Sequence, residues 1–246
     1  MSARAEARVC GTHAAQAVFR RRPDAIVRAW LVEEAVPLHG DLLRLLARSR
    51  RAYHVTDAAE IERVSQTVHH EGICLQVEER PVLTFDALLA TLGSRARPLV
   101  ALEDVSNPHN VGAVLRVAGF FGVDTVLVEG SGRMPSATIR IAEGACEVVD
   151  VVPVRDLSQA LRRLHQEGLA VIGTSGRGDL SVYDPLVSAE CVVLFGAEGP
   201  GLSPHALASC DAVLAIPGAG LIESLNVSNA AAVVIAQLRR VAIGEN

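Results

Sequence analysis

From Leu99 onward the chain repeats one pattern that leaves few folds open: short runs rich in Val, Leu and Ile, without polar alternation, separated by helical stretches. The runs are LVALED, DTVLVEG, EVVDVVPV, LAVIGTS, CVVLFGAEG and AVLAIPG. Helices are expected near 112–121, 136–144, 156–167, 204–209 and 227–241. Strands of this kind bury both faces, as in a parallel sheet covered by helices on each side. Ligands of open parallel sheets bind beyond the carboxyl ends of the strands, so chemistry is sought in the loops that follow them.

A smaller series precedes it. THAAQAVFRRR, GDLLRLLARSRR and DAAEIERVSQT read as helices, and IVRAWLVE, YHVT and GICLQV as strands, which makes residues 8–78 a small α/β unit. Residues 79–98, bounded by prolines and polar residues, read as a connector with one short helix. The expected division is therefore 1–79, a linker over 80–97, and 98–246.

Composition excludes several chemistries. All 23 basic residues are arginine, so there is no Walker lysine for a nucleotide phosphate, no Schiff-base lysine and no lysine general base. Five cysteines, at 10, 74, 146, 191 and 210, are widely spaced and mostly within apolar runs. They read as reduced core residues without metal spacing, and the histidines show no i,i+4 ligand pattern. No metal is expected. No apolar run reaches the length of a membrane span and the first residues lack a signal-peptide apolar segment, so a soluble, cytoplasmic protein is expected. Aromatics are scarce, which argues against a base-stacking platform. Charge is uneven: residues 1–55 hold ten Arg against five acids, +5, which leaves −10 on the remainder. A basic N-terminal part on an acidic chain points to a polyanionic partner.

Three strand-end loops carry the polar content. EDVSNPHNVGAVLRVAGFFG, from Glu103, leads into an apolar helix with one charge, Arg116, which is expensive to bury unless paired with an anion. Such an arginine either bridges a carboxylate or grips a phosphate through its planar fork. LFGAEGPGLSP, from Leu194, is a glycine turn with Glu198, in which Gly196, Gly199 and Gly201 permit backbone to approach a ligand. Its spacing is not the dinucleotide fingerprint. AIPGAGLIESLNVSNAAA, from Ala215, crowds Ser224, Asn226, Ser228 and Asn229 at the start of an apolar helix. One cap needs one such residue, and Ser228 or Asn229 is expected to supply it. The surplus marks this helix start as part of a site.

In order and content these loops closely resemble the three motifs of the SpoU (TrmH-like) RNA ribose methyltransferases of the SPOUT superfamily. Asn107-Pro108-His109-Asn110-Val111-Gly112 through Arg116 resembles the first, LFGAEGPGLS the second and IPGAGLIESLNVSNAAA the third, over about residues 98–240. CGTHAAQAVF and HHEGIC are similar to the small RNA-binding domain of L30e/L7Ae type that many members carry. The resemblance implies transfer of a methyl group from S-adenosyl-L-methionine to a ribose 2′-hydroxyl of structured RNA, ribosomal or transfer. It also implies an α/β catalytic domain with a deep trefoil knot, and a homodimer. It places Arg116, Asn110, Glu198, Ser224 and Asn226 in the catalytic site, and Gly196, Ile216, Leu225, Thr174, Leu221 and Ser224 around the cofactor. In the family the counterpart of Arg116 is proposed to take the hydroxyl proton. Arginine holds its own proton, so gripping phosphate and orienting the hydroxyl is the preferred role. Glu198 and Asn110 are expected to position Arg116, and Ser224 and Asn226 to shape the cofactor loop. Gly218, where methionine is common, and Asn229, where an apolar residue is frequent, depart from the family pattern.

Two other functions compete. A non-catalytic RNA-binding protein would rest on the basic N-terminal unit and bind RNA regardless of cofactor. A nucleotide-binding oxidoreductase would rest only on the glycine turn.

Overall fold

The computed structural model describes residues 5–95, 97–184 and 187–244, so Arg4 of the basic N-terminal set lies outside the described residues. The chain forms two compact units. The first contains β1 (Glu6–Cys10), α1 (Thr12–Arg21), β2 (Ile26–Leu31), α2 (Gly40–Arg48), β3 (Ala52–Val55), α3 (Ala58–Ser65) and β4 (Ile73–Glu78). Its sheet runs in the order β1-β4-β2-β3, antiparallel except for β2 with β3. Alternation along β4 gives the sheet two different faces. Ile73, Leu75 and Val77 join Val9, Ile26 and Leu31 under Ala15, Val18, Leu42 and Leu46 of α1 and α2. Cys10, Cys74 and Trp30 occupy the opposite face with Ile61 of α3. Strand β1 was not legible in the sequence, because Glu6 and Arg8 break its apolar content at a sheet edge.

The second unit contains α4 (Phe85–Ala90), β5 (Leu99–Leu102), α5 (Pro108–Phe120) and β6 (Thr125–Glu129), followed by α6 (Ser136–Ile141), which belongs to the first unit. It continues with β7 (Asp150–Val154), α7 (Leu157–Gln166), β8 (Ala170–Thr174), β9 (Leu180–Ser181), β10 (Cys191–Phe195), α8 (Pro204–Ala208), β11 (Ala212–Ala215) and α9 (Val227–Ala242). All six expected strands are present, and β9 is an additional short edge strand. The seven strands are all parallel, ordered β7-β6-β5-β10-β8-β11-β9. Every residue of β5 and β10 is buried, which accounts for their lack of alternation. The order turns at the β5–β10 pair: successive strands after β5 lie on one side, and β8, β11 and β9 on the other. This is the topological switch point where an open parallel sheet offers its crevice.

Helix α4 in the expected connector contributes Leu88 to the core formed with Leu161 and Leu164 of α7. Residues 134–147 depart more clearly from the expected arrangement. Instead of covering the large sheet, α6 packs on β1, with Ile139 against the core of the first unit. Glu147 holds the segment there, accepting from Arg22 Nε at 2.5 Å and from the second guanidinium nitrogen at 2.9 Å.

Helix α9 packs along α5. Arg239 fixes its far end, donating through Nε to the Phe121 carbonyl and through a terminal nitrogen to the Arg97 carbonyl, each at 2.7 Å. Part-buried bonds from a charged donor contribute about 1.5–3 kcal/mol each. Arg239→Ala is therefore expected to destabilise by roughly 3 kcal/mol in thermal unfolding, and Arg239→Lys to restore only part, because an ammonium cannot match the fork.

The cysteines are free, and burial pushes the Cys146 and Cys191 thiols up to about 12. The thiol is the uncharged form, so below that pH both stay protonated and unreactive. Peptide mapping after iodoacetamide at pH 8 should find both unmodified in the native chain and both alkylated after unfolding.

Candidate active site

The first strand-end loop leaves β5 and enters α5. Asn107 is the helix cap, its side-chain oxygen accepting from the His109 N–H at 2.9 Å, and Pro108 takes the first helical position, where its missing N–H costs nothing. This start places Asn110 in the first turn with its side chain buried, at 7% exposure.

The second loop leaves β10 as a tight turn closed by a bond from the Gly201 N–H to the Ala197 carbonyl, at 3.0 Å. A Cβ on Gly196 would lie 2.2 Å from the carbonyl carbon of Gly201 and 2.3 Å from the nitrogen of Leu202. The close approach expected of this glycine is thus an approach to the turn's own backbone. Gly199 and Gly201 serve differently, adopting φ of +86° and +72°. Beyond the turn, Ser203 caps α8. Its hydroxyl and N–H donate to the two carboxylate oxygens of Glu103, at 2.7 and 2.8 Å, while the Glu103 N–H donates to the Phe195 carbonyl. Glu103 therefore fastens the turn to the end of β5. Sequence reasoning missed it, since nothing distinguishes it from any acid at a strand end.

The third loop leaves β11 and passes through residues 216–226 before α9. Its path crosses the end of β8, where a Cβ on Gly176 would come within 3.1 Å of the Glu223 carbonyl oxygen. Leu221, Ile222 and Leu225 are 91%, 82% and 51% exposed on this segment.

The loops meet at Asn226. Its side-chain oxygen accepts from the Ser228 N–H at 2.8 Å and from the Ser228 hydroxyl at 2.6 Å. Its amide nitrogen donates to the Asn110 side-chain oxygen at 3.2 Å and to the Glu198 carboxylate. Asn226, with a non-helical backbone (φ −54°, ψ 143°), is the cap of α9. The expectation of a cap at Ser228 or Asn229 is corrected: both are already helical, where a side chain can no longer reach the free N–H groups ahead of it. The contacts also fix which end of the amide is which, because swapping its ends would set donors against the Ser228 N–H.

The structure thus brings Asn110, Glu198 and Asn226 together, one from each loop. The remaining expected residues surround them differently. Arg116 is exposed. Six residues after Asn110 on the same helix, it lies roughly 120° around the axis, so Asn110 faces Asn226 while Arg116 faces solvent. The cost of burying this arginine therefore does not arise. Thr174, at the end of β8, donates its hydroxyl to the Leu194 carbonyl at 2.7 Å. Gly196 and Ile216 are half-buried, whereas Ser224 is exposed with Leu221 and Leu225, two residues upstream of the Asn226 network. Among the described residues, no group of three or more His, Cys, Asp or Glu could hold a metal ion, and no helix is long and apolar enough to cross a membrane.

Comparison with known proteins gives the family. Residues 97–236 match the model of the SpoU rRNA methylase family, and residues 8–83 match that of RNA 2′-O ribose methyltransferase substrate-binding domains. The 23S rRNA (guanosine-2′-O-)-methyltransferase RlmB of Pseudomonas aeruginosa is 34% identical, over 95% of this chain and 96% of the relative. The uncharacterized tRNA/rRNA methyltransferase YfiF of Escherichia coli O157:H7 is 36% identical, over 94% of this chain and 67% of the relative. In fold, the chain is similar to the crystal structure of the SpoU methyltransferase AviRb of Streptomyces viridochromogenes in complex with AdoMet. That likeness has a TM-score of 0.76 and 21% identity, and covers 98% of this chain and 92% of that one. With both of its parts matched and identity extending over nearly its whole length, the chain belongs to the SpoU methylase family.

Proposed function

We propose that this chain methylates a ribose 2′-hydroxyl of structured RNA with S-adenosyl-L-methionine as methyl donor. The observation that carries the reading is the convergence of Asn110, Glu198 and Asn226 at the switch point of the parallel sheet, in a chain of this family. The similarity to RlmB over almost the whole of both chains supports ribosomal RNA as the substrate class.

The residues present suit the cofactor. The turn after β10 and the segment after β11 offer backbone donors and acceptors beside the apolar side chains of Ile216, Leu221 and Leu225, a surface matched to an uncharged purine ring. We assign the cofactor to Gly196, Ile216, Leu221, Ser224 and Leu225, with Thr174 beneath. When bound, it supplies a methyl group made electrophilic by its sulfonium. Asn226 joins the third loop to the first two, so the surfaces for cofactor and RNA are held in one geometry. Preset alignment of two reactants supplies much of a bimolecular rate enhancement. Arg116, exposed on α5, grips the phosphate beside the target ribose and orients the hydroxyl.

We further assign 1–79 to RNA binding, 80–97 to a link and 98–246 to methyl transfer, in a cytoplasmic protein. The return of the chain from β11 to α9 against α5 supports a deep trefoil knot around the third loop. The exposure of Phe120 (82%), Leu221 and Ile222 supports a homodimer that covers them, to be read by sedimentation.

Purified protein should transfer labelled methyl groups to RNA from a strain lacking the gene, and absence of transfer would refute the reading. Arg116→Ala should abolish transfer while calorimetry shows the cofactor still bound. Asn226→Ala removes a cap and leaves the buried Asn110 oxygen unpaired, a loss of roughly 3 kcal/mol in thermal unfolding. Asn226→Asp keeps the cap but loses both donors and faces Glu198 with a second carboxylate. It should recover stability in part and transfer not at all.

A further inference from the structure

The open half of the N-terminal sheet carries an arrangement that methyl transfer does not use. Register places Arg8 of β1, Gln76 of β4 and Arg28 of β2 in one row across three adjacent strands. Trp30 and His54 lie opposite one another in the next row. Both guanidinium groups converge on the Trp30 ring, at 5.2 Å for Arg8 and 5.7 Å for Arg28, and the His54 ring stacks on it at 5.9 Å. Among the described residues neither Arg8 nor Arg28 makes a hydrogen bond or ion pair. The nearby Glu6 carboxylate accepts from Gln76.

Two like charges drawn to one ring repel each other, and a polyanion placed across them relieves that repulsion. A guanidinium resting on an aromatic face is held in place, yet keeps its in-plane N–H donors free for the two oxygens of a phosphate. Trp30 is buried beneath them, at 7% exposure, so it supports the arginines and offers no surface for a base. We propose that Arg8 and Arg28, braced by Trp30 and His54, are a phosphate-contact surface for RNA on the open face of this sheet. The inference rests on the reading that the N-terminal unit binds RNA and names where it does so.

The test uses the full chain and protein-free ribosomal RNA of the host. Arg8→Gln/Arg28→Gln should weaken binding about tenfold at moderate salt and reduce the slope of log affinity against log salt by about 1.4–1.8, two phosphate contacts' worth. Calorimetric binding of S-adenosyl-L-methionine should not change. Arg44→Gln/Arg48→Gln, which removes two exposed arginines on α2 of the same unit, should bind RNA like the parent. Trp30 is the sole tryptophan, so its emission should change as RNA is added to the parent chain. If the Arg8/Arg28 variant binds with parental affinity and slope, the proposal falls while RNA binding by the chain stands. If the parent itself does not bind the RNA, the reading beneath it falls as well.

Discussion

The candidate site depends on one carboxamide. Asn226 has two donors and an acceptor oxygen, and all are engaged: the oxygen caps α9, and the nitrogen reaches Asn110 on α5 and Glu198 in the turn after β10. A non-helical backbone is required of a cap, so the chain must arrive at this point from outside the helix. It arrives from β11, two strands from β10 in the sheet, and the segment 216–226 must cross the end of β8 to get there. Helix start, loop path and site geometry are therefore one constraint. The partners support it in turn: Asn110 is positioned by the Asn107 cap, and the turn bearing Glu198 is closed on itself and fastened at its far end by Glu103.

The parallel sheet was legible because burial on both faces leaves an unmistakable composition in β5, β6, β8 and β10. The short edge strands were not. β1 carries Glu6 and Arg8, and β9 spans only Leu180–Ser181, too little for any period to show. The destination of α6 was also hidden, because a local pattern defines a helix but not the sheet it packs on. Glu147 finds its partner 125 residues earlier in the chain, and Ile139 packs on a core built from residues 9–77.

Within the site, the sequence named the three residues that meet but not which of its polar residues caps α9. Four polar residues at the start of α9 compete for the cap, and only backbone geometry decides among them. The exposure of Arg116, by contrast, could have been read. Val111, Val114, Leu115 and Ala118 form the buried stripe of α5 at helical spacing, and position 116 lies off it. Gly196 shows the opposite case, where a glycine suggests closeness but not the neighbour. Its neighbour is the backbone five residues on.

The lysine-free composition also alters how surface charge is to be counted. Several arginines are internal fasteners that saturate more than one acceptor. Arg22 reaches Glu147 and the Glu78 carbonyl, Arg51 the carbonyls of Pro23 and Ile26, and Arg239 those of Phe121 and Arg97. Lysine cannot replace them, because one ammonium does not span two carbonyls in a plane. The excess positive charge of residues 1–55 therefore overstates what a polyanion meets, since Arg22 and Arg51 are already committed. What remains open to a phosphate depends on which guanidinium groups the fold leaves without an anion. On the N-terminal sheet those are the two resting on Trp30.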